Sequence, residues 1–264
     1  MDESIFVAVS GIMKQERKME ILSNNLANMN NVGFKKDQLA FEALLSPFKK
    51  DTSFEASRNV LLPASKSNAN IAYVGVSEFA TDNTQGTLEK TDNSFDLALE
   101  GEGYFSVQTP DGVRYTRKGN FQLDSQGRLT TQNGVPVLTA QGAPLIIQGG
   151  GGAITIDING NVSAGAGLNN LPVGQIKVTK FNDGVLLEKE GDGLFKLKDP
   201  TQQEVPAPTT RVRQGYLEQS NVSSVEEMTK MMAAVRAFEG LQKLIQGLDQ
   251  VDGTAANNLG RLNP

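Results

Sequence analysis

Two long segments with apolar residues at helical spacing, one at each end of the chain, constrain the fold more than any other feature. They span residues 4–29 and 224–262, and a glycine-punctuated middle with strand-like patterns separates them. A helix over the first segment would be about 39 Å long at roughly 1.5 Å per residue. Two such helices can bury only part of their apolar faces against each other, so we predict that neighbouring chains cover the rest and that both ends order on assembly. The alternative is that both segments form the core of one globular domain.

The front segment follows a coiled-coil heptad for about four repeats. With Ile5 at position a, the a positions are Ile5, Ile12, Met19 and Leu26, and the d positions are Ala8, Gln15, Leu22 and Met29. Only Gln15 interrupts the apolar seam. Asn30, Asn31 and Gly33 then favour the end of the helix, because Asn and Gly tolerate the left-handed conformation found there.

The rear segment opens with a helix-start signal and continues with an apolar face. Two pairs have the spacing of a capping box, Ser223 with Glu226 and Ser224 with Glu227. The apolar residues that follow are separated by three or four positions, which predicts one helix face: Met228, Met231, Val235, Phe238, Leu241, Ile245, Leu248 and Val251. Met232, Leu244 and Ala255 widen this face, so we predict contact with more than one partner helix.

Composition excludes several classes of function. The chain of 264 residues has a net charge of −5 and contains neither His nor Cys. It therefore offers no basic face for nucleic acid, no disulfide or thiol chemistry, no Ser-His-Asp triad and no His-ligated metal. No apolar run is long enough to cross a membrane. The short apolar run from Ile5 to Met13 follows Asp2 and Glu3, where a secretory signal would carry Lys or Arg, and is interpreted as mature helix.

The middle of the chain predicts an antiparallel β domain, so the fold class is α+β. Residues 34–75 have a weak pattern, predicted as a short helix or extended arm and then a linker over 63–72. From about Val74 the apolar period is two, with strands over 175–181, 194–198 and 211–218 and an extended loop over 205–209. The turn signals are Asp111-Gly112, Asn133-Gly134, Asn159-Gly160, Asp183-Gly184 and Asp192-Gly193.

The predicted organisation has four parts. Residues 1–33 and 219–264 form a discontinuous coiled-coil domain, residues 34–75 an arm or linker, and residues 76–218 the β-rich domain.

Glycine and acidic motifs in the middle do not satisfy the requirements of ligand sites. Gly149–Gly152 lacks the Lys-Ser or Lys-Thr of a phosphate loop and is interpreted as a hairpin connection. Gly101–Gly103 lacks the third glycine of a dinucleotide site, and tight backbone packing is the better interpretation. Asp157, Asn159 and Asn161 begin like a calcium loop, but the later positions do not match, so a hairpin tip is predicted.

Charged residues do not form a catalytic set either. Asp96 and Glu100 would lie about 13 Å apart on one strand, which is too far for a glycosidase pair. Arg114, Arg117 and Lys118 form a small basic cluster, interpreted as a solvated hairpin or a subunit contact. We predict no catalytic residue, no metal ligand and no cofactor.

Four motifs together resemble the flagellar rod and hook protein family. They are Asn24–Asn28 followed by Gly33-Phe34-Lys35; Asp96–Phe105; Tyr115–Phe121; and Gly215–Val222 followed by Arg236–Glu239. Their order and spacing match across nearly the whole chain. The motif residues singled out are Asn24, Asn25, Asn28, Gly33, Phe34, Gly101, Gly103 and Asn221, and the three N-terminal asparagines are expected either to bridge or cap helices or to form a local turn.

The resemblance implies that the terminal helices pair as an inner coiled coil that lines an axial channel, and that subunits assemble head-to-tail into a helical tube that transmits torque. The implied partners are copies of the chain, inner proximal and distal rod proteins, the flagellar type III export apparatus and the rod cap, with the rod in the periplasm. The implied subunit-interface residues are Ile5, Ile12, Met19, Leu22, Leu26, Met228, Val235, Phe238, Ile245 and Leu248.

Within the family, length favours a rod protein over the longer hook protein. Phe238-Glu239, the segment Ile176–Phe181 and the tail Gln246–Leu262 favour a proximal over a distal rod protein. A scaffold or cap that later leaves the rod is a further alternative. A hydrolase of the cell wall is another, but the sequence offers it no paired carboxylates and no nucleophile with a base.

Overall fold

The computed structural model describes residues 2–44, 73–147, 153–165, 171–182, 187–199 and 202–260. Helix α1 (Asp2–Ala27) and helix α2 (Ser224–Gly260) lie at the ends of the chain, with strands between them. Every pair of strands in the described residues is antiparallel. The predicted α+β class with mainly antiparallel sheets is therefore confirmed.

The described strands are short, and most belong to hairpins. They are β1 (Asp37–Leu44), β2 (Tyr73–Thr81), β3 (Leu88–Lys90), β4 (Leu97–Glu100), β5 (Tyr104–Thr109), β6 (Gly112–Thr116), β7 (Gln122–Leu123), β8 (Leu129–Thr130), β9 (Ala153–Ile156), β10 (Asn161–Gly165), β11 (Leu171–Gln175), β12 (Val178–Lys180), β13 (Leu187–Gly191), β14 (Leu194–Leu197), β15 (Val205–Pro206), β16 (Arg211–Gln214) and β17 (Tyr216–Glu218).

The chain divides into two compact units. The helical unit contains α1 up to Leu26, the β1–β2 hairpin and α2; the β unit contains residues 27–36 and 82–223. Residues 27–36 belong to the β unit, and β2 belongs to the helical unit because it pairs along its length with β1. The domain boundaries after residues 33, 75 and 218 stay predictions from the sequence.

In the helical unit, α1 and α2 run antiparallel. Asn25, near the end of α1, donates a hydrogen bond to Glu227, near the start of α2. Gly11, near the start of α1, lies against the side chain of Leu241. Because α1 ends at Ala27, the predicted heptad position Met29 falls in the turn that follows the helix.

The segment after α1 is extended where a short helix was one alternative. Residues 37–44 form β1, so the short-helix alternative is wrong and the extended-arm alternative matches. The predictions for the linker 63–72, Gly149–Gly152 and Asp183-Gly184 lie outside the described residues.

The β unit is organised around a six-stranded sheet in the order β13-β14-β6-β5-β12-β15 and a three-stranded sheet in the order β11-β10-β9. Four of the predicted turns lie where the sequence placed them, at the hairpin tips β5–β6, β9–β10 and β13–β14 and after β8. The predicted loop 205–209 needs correction at its start, since β15 pairs with β12. The main core is lined by fully buried apolar side chains from several strands: Leu97, Leu99, Phe105, Val107, Leu129, Val137, Val162 and Val212.

A second, aromatic core contains Tyr104, Tyr115 and Phe195. Burial raises the pKa of Tyr104 to about 12. Burial, together with the hydrogen bond from the Tyr115 hydroxyl to Glu204, also raises the pKa of Tyr115. Both hydroxyls hold their proton more tightly in the folded chain than in the unfolded chain, where a tyrosine ionises near pH 10.

The β unit is therefore expected to lose stability as the pH rises from about 10 to about 12. In that window the unfolded state releases protons that the folded state retains, at about 1.4 kcal/mol per pH unit for each tyrosine. Tyr104→Phe should remove the contribution of one tyrosine, about 1.4 kcal/mol per pH unit, from this dependence of stability on pH. The free energy of urea unfolding at several pH values measures the change. An unchanged slope in the variant would show that Tyr104 is not responsible.

Candidate assembly surface

One face of α2 is covered within the chain. Its residues follow steps of four and three, so they share one side of the helix, and each is buried or half-buried: Glu227, Met231, Ala234, Phe238, Leu241, Ile245 and Leu248. Glu227, the first residue of this series, and Leu241, the fifth, contact α1. We call it the inner face of α2.

Two further faces of α2 are exposed. The first outer face comprises Val225, Met228, Met232 and Val235, whose side chains are 38–75% accessible. The second outer face also follows steps of four and three, and all of its residues are exposed: Ala233, Ala237, Gly240, Leu244, Gly247 and Val251. At about 100° per residue, the three faces lie roughly a third of a turn apart. The single predicted face therefore needs correction: Phe238, Ile245 and Leu248 are on the inner face, whereas Met228 and Val235 are on the first outer face.

Helix α1 also has both covered and exposed apolar residues. Leu22 is buried, whereas Ile12, Met19 and Leu26 are half-buried. Ile5 lies within α1. Val9 and Met13, which the heptad did not place on the seam, are exposed. The apolar surface of the helical unit thus exceeds what one pair of helices covers.

Asn25 holds the helical unit together at the end where α1 finishes and α2 begins. Its side-chain amide donates to the carbonyl of Asp37 at 2.9 Å and to Glu227 Oε2 at 3.2 Å, and its Oδ1 accepts from the Asp37 amide at 2.9 Å. Both side chains, Asn25 and Glu227, are almost fully buried. Of the three asparagines in the motif, Asn25 therefore bridges helices, while Asn28 accepts a local hydrogen bond from Asn31 and Asn24 is exposed.

Asn25→Ala is expected to lower the free energy of unfolding of the helical unit by about 2–3 kcal/mol, because the buried carboxylate of Glu227 and the half-buried backbone of Asp37 lose these hydrogen bonds. Denaturant unfolding followed by circular dichroism at 222 nm measures this change. Ser23→Ala is the control and should shift the transition by less than about 0.5 kcal/mol, since its side chain is exposed. Equal shifts in the two variants would contradict the bridging role.

In the β unit, a buried carboxylate is shared by two buried cations. Glu218 Oε1 accepts from Lys35 Nζ at 2.6 Å, and Glu218 Oε2 accepts from Arg117 Nη1 at 3.1 Å. Lys35 and Glu218 are each 1% exposed and Arg117 is 4% exposed. Burial lowers the pKa of Lys35, while Glu218 opposes that shift. The interpretation of Arg117 as part of a solvated hairpin or subunit contact is therefore wrong, because its guanidinium is enclosed.

Several motif residues support this charge cluster. The carbonyl of Gly101 accepts from Arg117 Nη2 at 2.9 Å. The amide of Gly33 donates to the Glu218 carbonyl, and its backbone has a φ of +67° and lies so close to residues 117 and 118 that a Cβ would be 2.5 Å from the Arg117 carbonyl carbon. Only glycine fits that position. Phe34 lies beneath the ammonium group of Lys189, 4.4 Å from its ring centre.

Asn221 joins two backbone segments, one that contains Lys36 and one that contains Asp82 and Thr84. Its Oδ1 accepts from the Lys36 amide at 2.8 Å, and its Nδ2 donates to the carbonyls of Asp82 at 2.9 Å and Thr84 at 3.1 Å. Gly103 is buried, and a Cβ there would lie 3.1 Å from the Thr179 carbonyl oxygen, which confirms tight backbone packing around this motif.

The remaining candidate ligand residues form structural contacts. Asp157 accepts hydrogen bonds from the amides of Asn159 and Asn161, so the calcium-like sequence is a hairpin tip. Arg114 pairs with Glu190. Within the described ranges, no group of three or more acidic side chains is placed to hold a metal ion. Neither α1 nor α2, over its described length, has an apolar stretch that could span a membrane.

Comparison with known proteins places three parts of the chain in related families. Residues 5–35 match the model "Flagella basal body rod protein", residues 98–164 match "Flagellar hook protein FlgE/F/G D1 domain", and residues 213–259 match "Flagellar basal body rod FlgEFG protein C-terminal". Lys35, Arg117 and Glu218 each lie in a different one of these segments. The charge cluster therefore joins all three matched parts of the chain.

Full-length relatives agree with these matches. The chain is 34% identical to the flagellar basal-body rod protein FlgF of Caulobacter vibrioides, with 100% of each chain covered. It is 35% identical to FlgG of Borreliella burgdorferi over 99% of this chain and 100% of the relative, and 34% identical to FlgF of Salmonella typhimurium over 97% of each chain. These relatives are named as rod proteins, which are structural components. The chain belongs to the flagellar basal-body rod protein family.

Proposed function

We propose that the chain is a proximal rod subunit of the FlgF type. It assembles head-to-tail with its own copies and with other rod proteins into a helical tube. The observation that carries this proposal is the exposure of two apolar faces on α2, each with the three- and four-residue spacing of a helix contact. Exposed apolar faces do not stabilise a monomer, whereas a neighbouring helix would bury them and so stabilise an assembly.

The large exposed side chains of α2 would stabilise such a contact. Each of them is about half to three quarters exposed, so complete burial would contribute roughly 1–2 kcal/mol per side chain: Val225, Met228, Met232, Leu244 and Val251. Because α2 has different outer faces, a contact between unlike surfaces of successive copies is favoured, and such a contact builds an open helix when its rotation does not close. The helices then pack as a coiled coil, with Ile5, Ile12, Met19, Leu22 and Leu26 contributing from α1.

The distal rod type, FlgG, is the second candidate. It is favoured by the FlgG relative, whose 35% identity is slightly above the 34% of the two FlgF relatives. The proximal type is favoured by Phe238-Glu239, by Ile176–Phe181 and by the length of the tail. A scaffold or cap that leaves the rod is the less favoured alternative.

In either rod position the subunit would be exported through the flagellar type III apparatus, would assemble in the periplasm, would transmit torque and would continue the export channel. The partners would be inner proximal rod subunits, the distal rod protein, the rod cap and the export apparatus.

Purified basal bodies test this proposal. A tagged chain should be recovered in the rod of intact basal bodies. A density map of the rod should place its side chains in the proximal segment, before the distal rod protein along the rod axis. Deletion of the gene should abolish motility. A position in the distal segment of the rod would favour the distal type. Absence from finished basal bodies would favour the scaffold or cap.

A further inference from the structure

We propose that the side chain of Gln214 closes the outer edge of strand β9 and thereby prevents the β units of two copies from joining through this strand. The inference concerns the β unit alone and does not depend on the function proposed above. It assigns to a residue outside the helices a role in restricting where one copy can contact another.

Gln214 is the last residue of β16, and its side-chain amide bonds the backbone of β9. Its Oε1 accepts from the Ile156 amide at 3.0 Å, and its Nε2 donates to the Ile154 carbonyl at 2.9 Å. The same Nε2 donates to the Ser94 carbonyl at 2.9 Å, so both of its protons are used. The side chain therefore supplies β9 with a donor and an acceptor, as a neighbouring strand would.

The side chain is needed because β9 lies at the end of its sheet. This strand pairs on one side with β10. On its other side lies β16, where the amide of Val212 donates to the Ile158 carbonyl at 2.9 Å. Strand β16 then ends, and Gly215 turns the chain with a φ of +77°. Beyond the Val212 bond, the connection to Ile154 and Ile156 is made by the Gln214 side chain.

The sequence of this edge favours pairing with a further strand. Residues 153–158 read Ala-Ile-Thr-Ile-Asp-Ile, with β-branched side chains at four of six positions and no proline. Short segments of high β-propensity, low charge and no proline are prone to pair with another chain when they lie on an open edge. An open β9 would therefore be a site of association.

The other end strands of the two larger sheets carry their own protection. Strand β11 contains Pro172 and β15 contains Pro206, and a proline cannot donate a ladder hydrogen bond. Strand β13 carries three consecutive charges, Glu188, Lys189 and Glu190, which disfavour edge pairing. The four residues of β9 include neither a proline nor a charge, so its protection comes from Gln214.

The partner that fits the open edge is β9 of a second copy. The Ile156 amide and the Ile154 carbonyl both point outward, to Gln214. In an antiparallel pair of β9 strands, the Ile156 amide of each copy would donate to the Ile154 carbonyl of the other. Thr155, which is exposed, would then face the same residue of the second copy across a non-hydrogen-bonded pair, with Cα atoms about 4.5 Å apart.

A single cysteine at this position tests the inference in the full chain, which contains no other. A Cα separation of about 4.5 Å lies within the range of a disulfide. Under mild oxidation, Thr155→Cys combined with Gln214→Ala should give roughly tenfold more disulfide-linked dimer than Thr155→Cys alone, because the β9 backbone then lacks its partner. Gln214→Met, which keeps most of the volume but cannot donate a hydrogen bond, should act in the same way.

Two controls separate edge pairing from other effects. Gln175 Nε2 donates to the Asn159 carbonyl at 3.0 Å, at the hairpin tip, so Gln175→Ala removes a similar hydrogen bond and should leave the amount of dimer unchanged. Gln126→Cys places the thiol in an exposed turn instead, and Gln214→Ala should not increase its crosslinking.

Circular dichroism checks the fold of each variant, and Gln214→Met provides the comparison if Gln214→Ala does not fold. Dimer that forms equally with and without Gln214 would overturn the inference. So would equal crosslinking through Gln126→Cys and Thr155→Cys, since that result would indicate unspecific aggregation.

Discussion

Glu218→Ala is expected to lower the free energy of unfolding of the β unit by about 3–5 kcal/mol, because removing one partner of a buried ion pair leaves uncompensated charge in the interior. Here the effect involves two cations at once. Lys35 and Arg117 both lose their carboxylate, and neither side chain reaches solvent in the folded chain. The amide of Gly86, which donates to Glu218 Oε1 at 3.0 Å, loses its acceptor as well.

Urea unfolding of the purified chain measures this loss. Glu100→Ala is the matched control: Glu100 pairs with Arg213 at 2.8 Å, but both side chains are exposed, so little change is expected. Simultaneous replacement of Lys35, Arg117 and Glu218 by Met, Met and Leu should recover much of the stability lost in Glu218→Ala, because no unpaired charge remains. A Glu218→Ala variant as stable as the Glu100→Ala control would contradict the structural role of the cluster.

Met232→Asp combined with Val235→Asp is expected to abolish incorporation of the chain into the rod while leaving the helical unit folded. In the unassembled chain these side chains are 55% and 38% exposed, so water still solvates the new carboxylates. In the proposed assembly, both would have to be buried against a neighbouring helix, at a cost of several kcal/mol each.

Motility and recovery in purified basal bodies measure incorporation, and circular dichroism checks the fold. Gln242→Asp, at an exposed polar position of α2, is the control and should be incorporated normally. Phe238→Asp should also prevent incorporation, but it should first destabilise the helix pair, because Phe238 lies on the inner face. Normal motility of the Met232→Asp, Val235→Asp variant would show that the first outer face is not a subunit contact.

The elements of this fold follow from local patterns, which the sequence displays directly. The three- and four-residue spacing predicted both helices, and the Asn-Gly and Asp-Gly pairs predicted the hairpin tips, because each pattern acts within a few residues. The face of α2 that packs inside the chain could not be identified in the same way. This helix is apolar around most of its circumference, so periodicity alone does not separate Phe238 from Val235.

The charge cluster was missed for a different reason. Arg117 is separated from Glu218 by 101 residues, and Lys35 from Glu218 by 183. No local pattern connects them, and a single Lys, Arg or Glu in a motif is most often solvated. The available signal was that each of the three lies within a different family motif. Asn25 was correctly included among residues expected to bridge or cap helices, but only the structure shows that it contacts Glu227 and Asp37.

The position of Glu218 determines when the β unit can form during biosynthesis. A nascent chain that ends before this residue carries Lys35 and Arg117 without their counter-charge, and it lacks β17, the strand that pairs with β3. Contacts over such long sequence separations slow folding, because a large loop must close before any of them forms. The ribosome must therefore synthesise more than four fifths of the polypeptide before its β unit can fold, so this unit forms only late in translation, after the first helix and most of the strands have been made.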